Sequence, residues 1–194
     1  ANVAGVGTEA FSGCRNLQVM EWNATAPLLA ECFDDPVAYG NMLVFATGTA
    51  SAISVEGNVV TDGVAEEIIL TDGMPFCNPK EFTAKHISYS REFTKKTKAG
   101  MAGGWEGIVL PFDVQTISHE EKGLLSPFGV ETEGLPCWIA EWQPSNKTFV
   151  LSHSNLPNQP FIMEVPNSEE YDDRYNIEGR VTFAAENVTV HATT

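Results

Sequence analysis

The 194-residue sequence has few basic residues and no long apolar run. Lysine and arginine together number 11 against 26 aspartates and glutamates, which gives a formal net charge of −15. Such a charge repels polyanions, so contact with a phosphate backbone or an anionic membrane surface is not expected. No stretch reaches the roughly 18 consecutive apolar residues that a spanning helix needs. We therefore predict no nucleic-acid partner and no direct membrane insertion of the chain shown.

The usual signatures of catalysis are missing as well. The chain holds no G-x-S-x-G elbow, no H-E-x-x-H pair, no P-loop and no dinucleotide-binding fingerprint. The segment His119-Glu120-Glu121 has no second histidine, so we interpret it as a solvated loop rather than a zinc helix. The acidic segment 168–173 carries four carboxylates without the alternating spacing of a calcium loop, which favours a hydrated loop. We predict a protein that is not an enzyme and that binds no cofactor or metal.

Cysteine is sparse, and its spacing does not fit a structural zinc site. Cys14, Cys32, Cys77 and Cys137 lie far apart and form no C-x-x-C pair. They are either free thiols or partners in up to two disulfides, for which three pairings exist. Hydrophobic residues make up 43% and charged residues 19% of the chain, values typical of a globular protein that buries a core.

A run of apolar and small residues near the start, AFSGCRNL at positions 10–17, carries a family resemblance. Phe11, Cys14 and Leu17 stand at the spacing of one solenoid coil, and the run resembles the BspA-like leucine-rich repeat of surface proteins of gut anaerobic bacteria. The resemblance implies that these three side chains face inward and that the coils form a surface-exposed binding scaffold. A second unit over residues 26–36 and a strand at Asn41–Ala46 complete a repeat stub at residues 1–50. Because residues 3–7 are already repeat-like, we expect that an export signal or earlier repeats have been removed.

The pattern changes to period two after the small-residue stretch 47–52, which we interpret as a linker. Many short strands with turn-rich separators then predict a mainly β protein, in which residues 51–194 form an antiparallel β-sandwich. The predicted strands cover residues 64–70, 86–93, 105–110, 137–142, 148–152, 161–165, 179–183 and 187–191. The last two are predicted to pair as a hairpin through residues 184–186.

The part of the chain from about Asn58 onward carries a second resemblance. It is similar to a β-domain found at the C-terminus of exported repeat proteins of gut anaerobes. The segments that carry the likeness are ILTDG at 69–73, ISYSREF at 87–93, LPFD at 110–113 and GRVTFAAENVTV at 179–190. The resemblance implies surface display and assigns no catalytic residue.

One arginine in the predicted sheet needs a partner. On the strand predicted over His86–Phe93, Arg91 shares a face with Ile87 and Phe93, which indicates burial. An unpaired buried guanidinium is too costly, so we predict an ion pair with a carboxylate and name Asp113 as its partner.

Three tryptophans are the candidate ligand-binding residues. Trp138 and Trp142 lie four residues apart on one predicted strand and therefore on the same face. Exposed aromatic side chains of this kind stack on sugar rings, whereas burial in the sandwich would make them core residues. Trp22 is the third candidate.

Taken together, the sequence predicts a non-enzymatic protein of the cell surface or extracellular space. We expect it to bind an extracellular protein through the repeat face and strand edges, with the sandwich as a spacer. The alternatives are a carbohydrate-binding module, which would bind a glycan, and a purely structural C-terminal domain of a repeat array. This expectation rests on the two resemblances.

Overall fold

The computed structural model describes residues 3–35, 39–48, 52–55, 58–97, 103–130 and 133–193. Over these residues the protein is mainly β, with fourteen strands, a 3-10 turn at Ala30–Cys32 and no α-helix. The strands are β1 Val19–Trp22, β2 Leu28–Leu29, β3 Leu43–Ala46, β4 Ile53–Ser54, β5 Asn58–Thr61, β6 Val64–Thr71, β7 Phe82–Phe93, β8 Glu106–Ile108, β9 Thr116–His119, β10 Gly123–Pro127, β11 Leu135–Gln143, β12 Thr148–Ser152, β13 Phe161–Glu164 and β14 Gly179–Val190. The predicted mainly β class is confirmed.

The large sheet is mixed rather than wholly antiparallel. Twelve of the described strands are hydrogen-bonded into it, and β2 and β4 form a separate pair. Strands β1, β3 and β5 run parallel to one another, as do β2 with β4 and β10 with β11. The sequence missed this because a period-two pattern is the same for a strand in either pairing direction.

The chain divides into two compact units at positions other than the boundary predicted near residue 50. Unit 1 comprises Ala1–Ile87 with Glu186–Thr194, and unit 2 comprises Ser88–Ala185. The segments on either side of the predicted linker fall in one unit, because β3 pairs with β5. Residues 49–51 of that linker lie outside the described residues.

Unit 1 is built on the parallel ladder β1–β3–β5. The first pair aligns Val19 with Leu43, residues 24 positions apart, and the second aligns Leu43 with Asn58, 15 positions apart. All four residues of β3 are buried, and this strand has a neighbour on each edge. The core beside the ladder consists of Trp22, Ala26, Leu28, Cys32, Phe33, Tyr39, Met42, Val44 and Val55.

Two of the three repeat-motif residues pack against this core, and one does not. Phe11 and Leu17 are partly buried against it, and the Phe11 ring stacks on Phe33 with centroids 5.3 Å apart. Cys14 is exposed, so the inward orientation expected from the resemblance is wrong for this residue. The cause is a tight turn in which Gly13 has a φ of 75° and the Cys14 N–H donates to the Phe11 carbonyl.

The predicted hairpin at residues 184–186 is also wrong, because β14 continues from Gly179 to Val190. The break in alternation that suggested a turn is a bulge. Ala185 and Val188 are both buried although three positions separate them, and Asn187 between them has a φ of 49°. One residue in a left-handed conformation lets the strand continue while its buried face shifts by one position.

Unit 2 is a sheet that curls on itself. Strands β14 and β13 are separated by β9, β10 and β11 in the hydrogen-bonded order. In a flat sheet, four strand spacings would place them about 19 Å apart. The rings of Phe183 on β14 and Phe161 on β13 nevertheless have centroids only 6.3 Å apart, and both residues are buried. The interior of this curled sheet is therefore apolar.

His119 lies at the end of β9 and is only 3% exposed, so the solvated loop predicted for His119-Glu120-Glu121 is wrong for this residue, while Glu120 and Glu121 lie in an exposed turn. Its Nδ1 accepts hydrogen bonds from the Glu121 and Lys122 N–H groups, at 3.2 and 3.1 Å. Its Nε2 lies 3.0 Å from the Glu178 carbonyl oxygen. These contacts fit a neutral imidazole that donates from Nε2. Through Nδ1, the His119 side chain is hydrogen-bonded to the backbone of the turn between β9 and β10.

Arg91 has an acidic partner, as predicted, but the residue is Glu106 rather than Asp113. The Arg91 Nη2 lies 3.0 Å from Glu106 Oε2, and Nη1 donates to the Gly107 carbonyl at 2.7 Å. The Glu106 side chain is 6% exposed. The sequence could not choose between these carboxylates because the choice depends on where the fold places β8 relative to Arg91.

Candidate functional site

The most distinctive surface of unit 2 is an apolar strip on the hairpin of β11 and β12. Trp138, Ala140 and Trp142 alternate along β11 and share one face. Directly opposite on β12, Phe149 pairs with Trp142 and Leu151 pairs with Ala140, so both side chains join the same face. Phe128 extends this face at the other end, where its ring stacks on Trp138.

Two pairs of rings in the strip contact each other, and its members remain open to solvent. The ring centroids of Phe128 and Trp138 are 6.0 Å apart, and those of Trp142 and Phe149 are 5.2 Å apart. Phe128 is 62% exposed, Leu151 64% and Phe149 42%. Large contiguous apolar patches are uncommon on soluble monomers and mark surfaces that meet another molecule. We call Phe128, Trp138, Trp142, Phe149 and Leu151 the apolar strip.

Strand β12 adds an open edge to the apolar strip. Among the described strands it pairs only with β11, and none of its five residues is buried. Val150, on the face opposite the apolar strip, is 46% exposed. An edge strand with apolar side chains and free backbone groups is a template for pairing with another chain.

A carboxylate borders the apolar strip. Glu164 on β13 lies directly across from Trp138 on β11. Partial burial raises the pKa of the Glu164 carboxyl above its ordinary value, since desolvation penalises the charged form.

A small hollow lies beside the same hairpin, and one of its lining residues has an unpaired buried oxygen. It has a volume of about 130 Å³, and its lining includes Glu141, Trp142, Gln143, Leu156 and Gln159. The Oε1 atom of Glu141 is buried and has no hydrogen-bond partner among the described residues. An unsatisfied buried acceptor is costly, and this oxygen is not accessible in the arrangement described.

The candidate residues from the sequence fall in different places. Trp22 is 8% exposed and its indole N–H donates to the Ala26 carbonyl at 3.0 Å, so it belongs to the core of unit 1 and offers no open ring face. Trp138 and Trp142 are half-buried members of the apolar strip. Phe11 and Leu17 have packing roles.

Sequence reasoning missed Phe128, Phe149 and Leu151. A signal was present in the strand predicted at 148–152, where Phe149, Val150 and Leu151 are consecutive apolar residues without alternation. Such a run suits a strand buried on both faces or one exposed on both faces, and hydropathy alone does not distinguish them.

The remaining chemistry is sparse within the described part of the chain. No group of three or more His, Cys, Asp or Glu side chains is arranged to hold a metal ion there, and all four cysteines are free thiols. In the acidic segment, the Asp172 carboxylate accepts the Arg174 N–H and the Ser168 hydroxyl accepts the Glu170 N–H, which makes it a series of turns. No described helix is long and apolar enough to cross a membrane.

Comparisons with other proteins add no assignment to this geometry. No protein-family model, no curated protein and no solved structure matches the chain.

Proposed function

We propose that the chain is a non-enzymatic binding or adhesion protein of the cell surface that recognises an extracellular protein. The observation that carries the proposal is the apolar strip beside the open edge of β12. In the proposed mode, an extended segment of the partner adds to β12 through backbone hydrogen bonds, and its apolar side chains cover Phe149 and Leu151.

The chemistry of the apolar strip favours a protein over a sugar. Sugar sites combine an open aromatic face with polar groups that bond the hydroxyls, whereas here Leu151 adds aliphatic surface. Each tryptophan also has a phenylalanine against it. Aromatic and aliphatic anchors surrounded by polar residues are the usual composition of a protein interface core.

The repeat assignment is part of this proposal, and unit 1 supplies its support. The 24-residue offset between Val19 and Leu43 falls in the range of leucine-rich repeats, which place one parallel strand in each coil. Leu28 and Ile53, in the second parallel ladder, are 25 positions apart. The shorter offset between Leu43 and Asn58 departs from this spacing, and an exposed Cys14 departs from the motif. Cell-surface display follows from the same resemblance.

A carbohydrate-binding role is the second candidate. The observation that favours it is the hollow that Glu141, Trp142 and Gln159 line beside the hairpin. A sugar hydroxyl would donate to the Glu141 carboxylate after this side chain turns toward the hollow. Purely structural termination of a repeat array remains the third expectation, and it predicts no ligand.

The test is binding of the full chain to arrays of extracellular proteins and of polysaccharides. The double variant Phe149→Ser/Leu151→Ser removes the exposed members of the apolar strip on β12. The matched control Val64→Ser/Ile69→Ser removes exposed apolar side chains from β6 in unit 1, where Val64 is 40% and Ile69 53% exposed. Protein binding lost in the first and kept in the second is the expected result.

Other outcomes are equally informative. Protein binding that survives Phe149→Ser/Leu151→Ser would contradict the apolar strip as the recognition surface. Glycan binding that is lost in Glu141→Gln would favour the carbohydrate role. No binding by the folded parent protein to either array would favour the structural terminator.

A further inference from the structure

A second feature of unit 2, separate from the apolar strip, is a cavity in its curled sheet. It has a volume of about 290 Å³ and opens to solvent at one end of the sheet. Its wall includes Ile117 on β9, Leu125 on β10, Ile139 on β11 and Phe183 on β14. All four are less than 9% exposed, so the wall is part of the core.

The chain builds this cavity where the edge partner of β11 changes. Strand β10 pairs with β11 as far as Cys137, and β12 takes over the pairing at Ile139. Pro127 at the end of β10 and His153 just after β12 both line the cavity. The discontinuity between two strands on one edge leaves the opening.

A glycine is required at this junction. Gly134, which also lines the cavity, approaches β10 so closely that a Cβ would lie 2.3 Å from Ser126 Oγ and 2.8 Å from the Leu125 carbonyl carbon. Any other residue would force β10 and the start of β11 apart. The wall is therefore a closely packed part of the fold.

The described lining of the cavity carries almost no charge. It contains no Asp, Glu, Lys or Arg, although the chain holds 26 acidic and 11 basic residues, and His153 is its one ionisable side chain. The polar groups of Asn155 are already used, since Oδ1 accepts the Val114 N–H and Nδ2 donates to the Phe112 carbonyl. The exposed polar residues of the lining are Gln115, Thr116, His153 and Ser154.

We infer that this cavity is a binding site for a small, uncharged, apolar molecule, whose body contacts the buried wall and whose polar end faces His153 and Ser154. Pockets for small ligands are concave and largely apolar with a few polar groups at the edge. An apolar cavity of about 150 Å³ stays dry and takes up benzene, so this one has room for a larger ligand such as a fused aromatic. The inference does not rest on the proposed function.

Two fluorescent probes that share the N-phenylnaphthylamine skeleton test the size and charge of the ligand. N-phenyl-1-naphthylamine is neutral, and 1-anilinonaphthalene-8-sulfonate adds one negative charge. We expect the neutral probe to bind saturably to the full chain at pH 7.5, with a dissociation constant about tenfold lower than that of the sulfonate. Equal or tighter binding of the sulfonate would overturn the uncharged ligand class.

A matched pair of leucines tests the location. Leu124 lines the cavity mouth and is 54% exposed, whereas Leu156 is 49% exposed and lies outside the cavity lining. Both positions are exposed enough to accept a larger side chain, so both variants should keep the far-ultraviolet circular dichroism of the parent. Leu124→Trp should weaken neutral-probe binding about tenfold, and Leu156→Trp should change it less than about twofold.

The remaining results are decisive as well. Absence of saturable binding, or equal binding by Leu124→Trp and the parent, would overturn the proposal, as would a matching loss in Leu156→Trp. The variant Phe149→Ser/Leu151→Ser should retain the probe. Because that variant is the one expected to lose the protein partner, failure of the cavity site and failure of the proposed function give different results.

Discussion

Strands β3 and β12 have similar apolar compositions and opposite environments. The residues of β3, LVFA, are all buried, whereas none of the residues of β12, TFVLS, is buried. Their positions also differ, since β3 has β1 and β5 on its two edges and β12 pairs only with β11 among the described strands. The same kind of segment is a core element in unit 1 and an open surface in unit 2.

The same contrast extends to the two units. Of the exposed large hydrophobic side chains among the described residues, three lie in unit 1 and eight in unit 2. Those of unit 1 are Val3, Val64 and Ile69, and those of unit 2 are Val109, Leu124, Phe128, Val130, Phe149, Val150, Leu151 and Leu156. Unit 1 therefore uses its apolar residues mainly for packing, and unit 2 leaves many available for contact.

The largest expected effect comes from replacing a leucine of β3 by alanine, and the same replacement in β12 is its comparison. Leu43→Ala in β3 removes a fully buried side chain and should lower the free energy of unfolding by about 2–5 kcal/mol. Leu151→Ala in β12 removes a side chain that is 64% exposed and should change it by less than about 0.5 kcal/mol. Urea unfolding checks both values. A large loss in Leu151→Ala would mean that β12 is covered within the chain.

The second effect concerns the ion pair of Arg91 and Glu106 in unit 2. Arg91→Met leaves the Glu106 carboxylate, 6% exposed, without its guanidinium, so we expect a loss of about 3 kcal/mol. Adding Glu106→Gln removes the unpaired charge and should recover more than half of that loss. Urea unfolding of the two variants measures the recovery. Equal stability of the single and double variants would show that the charge of Glu106 is not the cause.

The third effect is a pH dependence in unit 1. Burial opposes ionisation of Asp34, but hydrogen bonds from the Gly13 N–H and the Tyr39 hydroxyl, together with Arg15 at 2.6 Å, outweigh it and lower the pKa of the carboxyl. The stabilisation is therefore fully present above the unfolded pKa of about 3.9 and is lost as the pH falls through the folded value. Asp34→Asn should lower the melting temperature at pH 7, and the difference in melting temperature between variant and parent should shrink below pH 4.

The neighbouring carboxylate is the control for that experiment. Asp35 makes a longer contact with Arg15, at 3.5 Å, and is more exposed than Asp34. Asp35→Asn should therefore have a smaller effect at pH 7. Equal effects of the two substitutions would show that net charge, rather than the contacts of Asp34, sets the stability.

The smallest effect is expected beside the apolar strip. Desolvation raises the pKa of Glu164, so its carboxyl binds a proton more tightly in the folded state than in the unfolded state. The free energy of unfolding therefore falls as the pH rises from the unfolded-state pKa, about 4.3, through the folded-state pKa. Glu164→Gln should slightly raise the melting temperature at pH 7 and leave it unchanged below pH 4. The exposed Glu169→Gln is the control, and an equal rise there would contradict desolvation as the cause.

Local features of the fold were predictable where the sequence pattern reports conformation directly. The strand predicted at 148–152 has the bounds of β12, and β6 extends the predicted 64–70 by one residue. One readable signal was overlooked. Asp62-Gly63 joins β5 to β6 with φ values of 49° and 82°, the conformation that an Asp-Gly hairpin turn adopts.

The site was less predictable because it depends on pairing between strands. Trp138 and Trp142 were placed on one face from spacing alone, and both lie on the apolar strip. Trp22 is also a tryptophan, but it lies in the core of unit 1. Phe149 and Leu151 became part of the apolar strip only through their register with Trp142 and Ala140.

Residue order in this chain fixes the β class, the acidic charge and the positions of many strands, because alternation, turn residues and composition act within a few neighbouring residues. The parallel ladder of unit 1, the open edge of β12 and the cavity in unit 2 arise from contacts between residues far apart in sequence. Hydrophobicity drives a side chain out of water but does not choose its partner, and that choice is made when distant strands align.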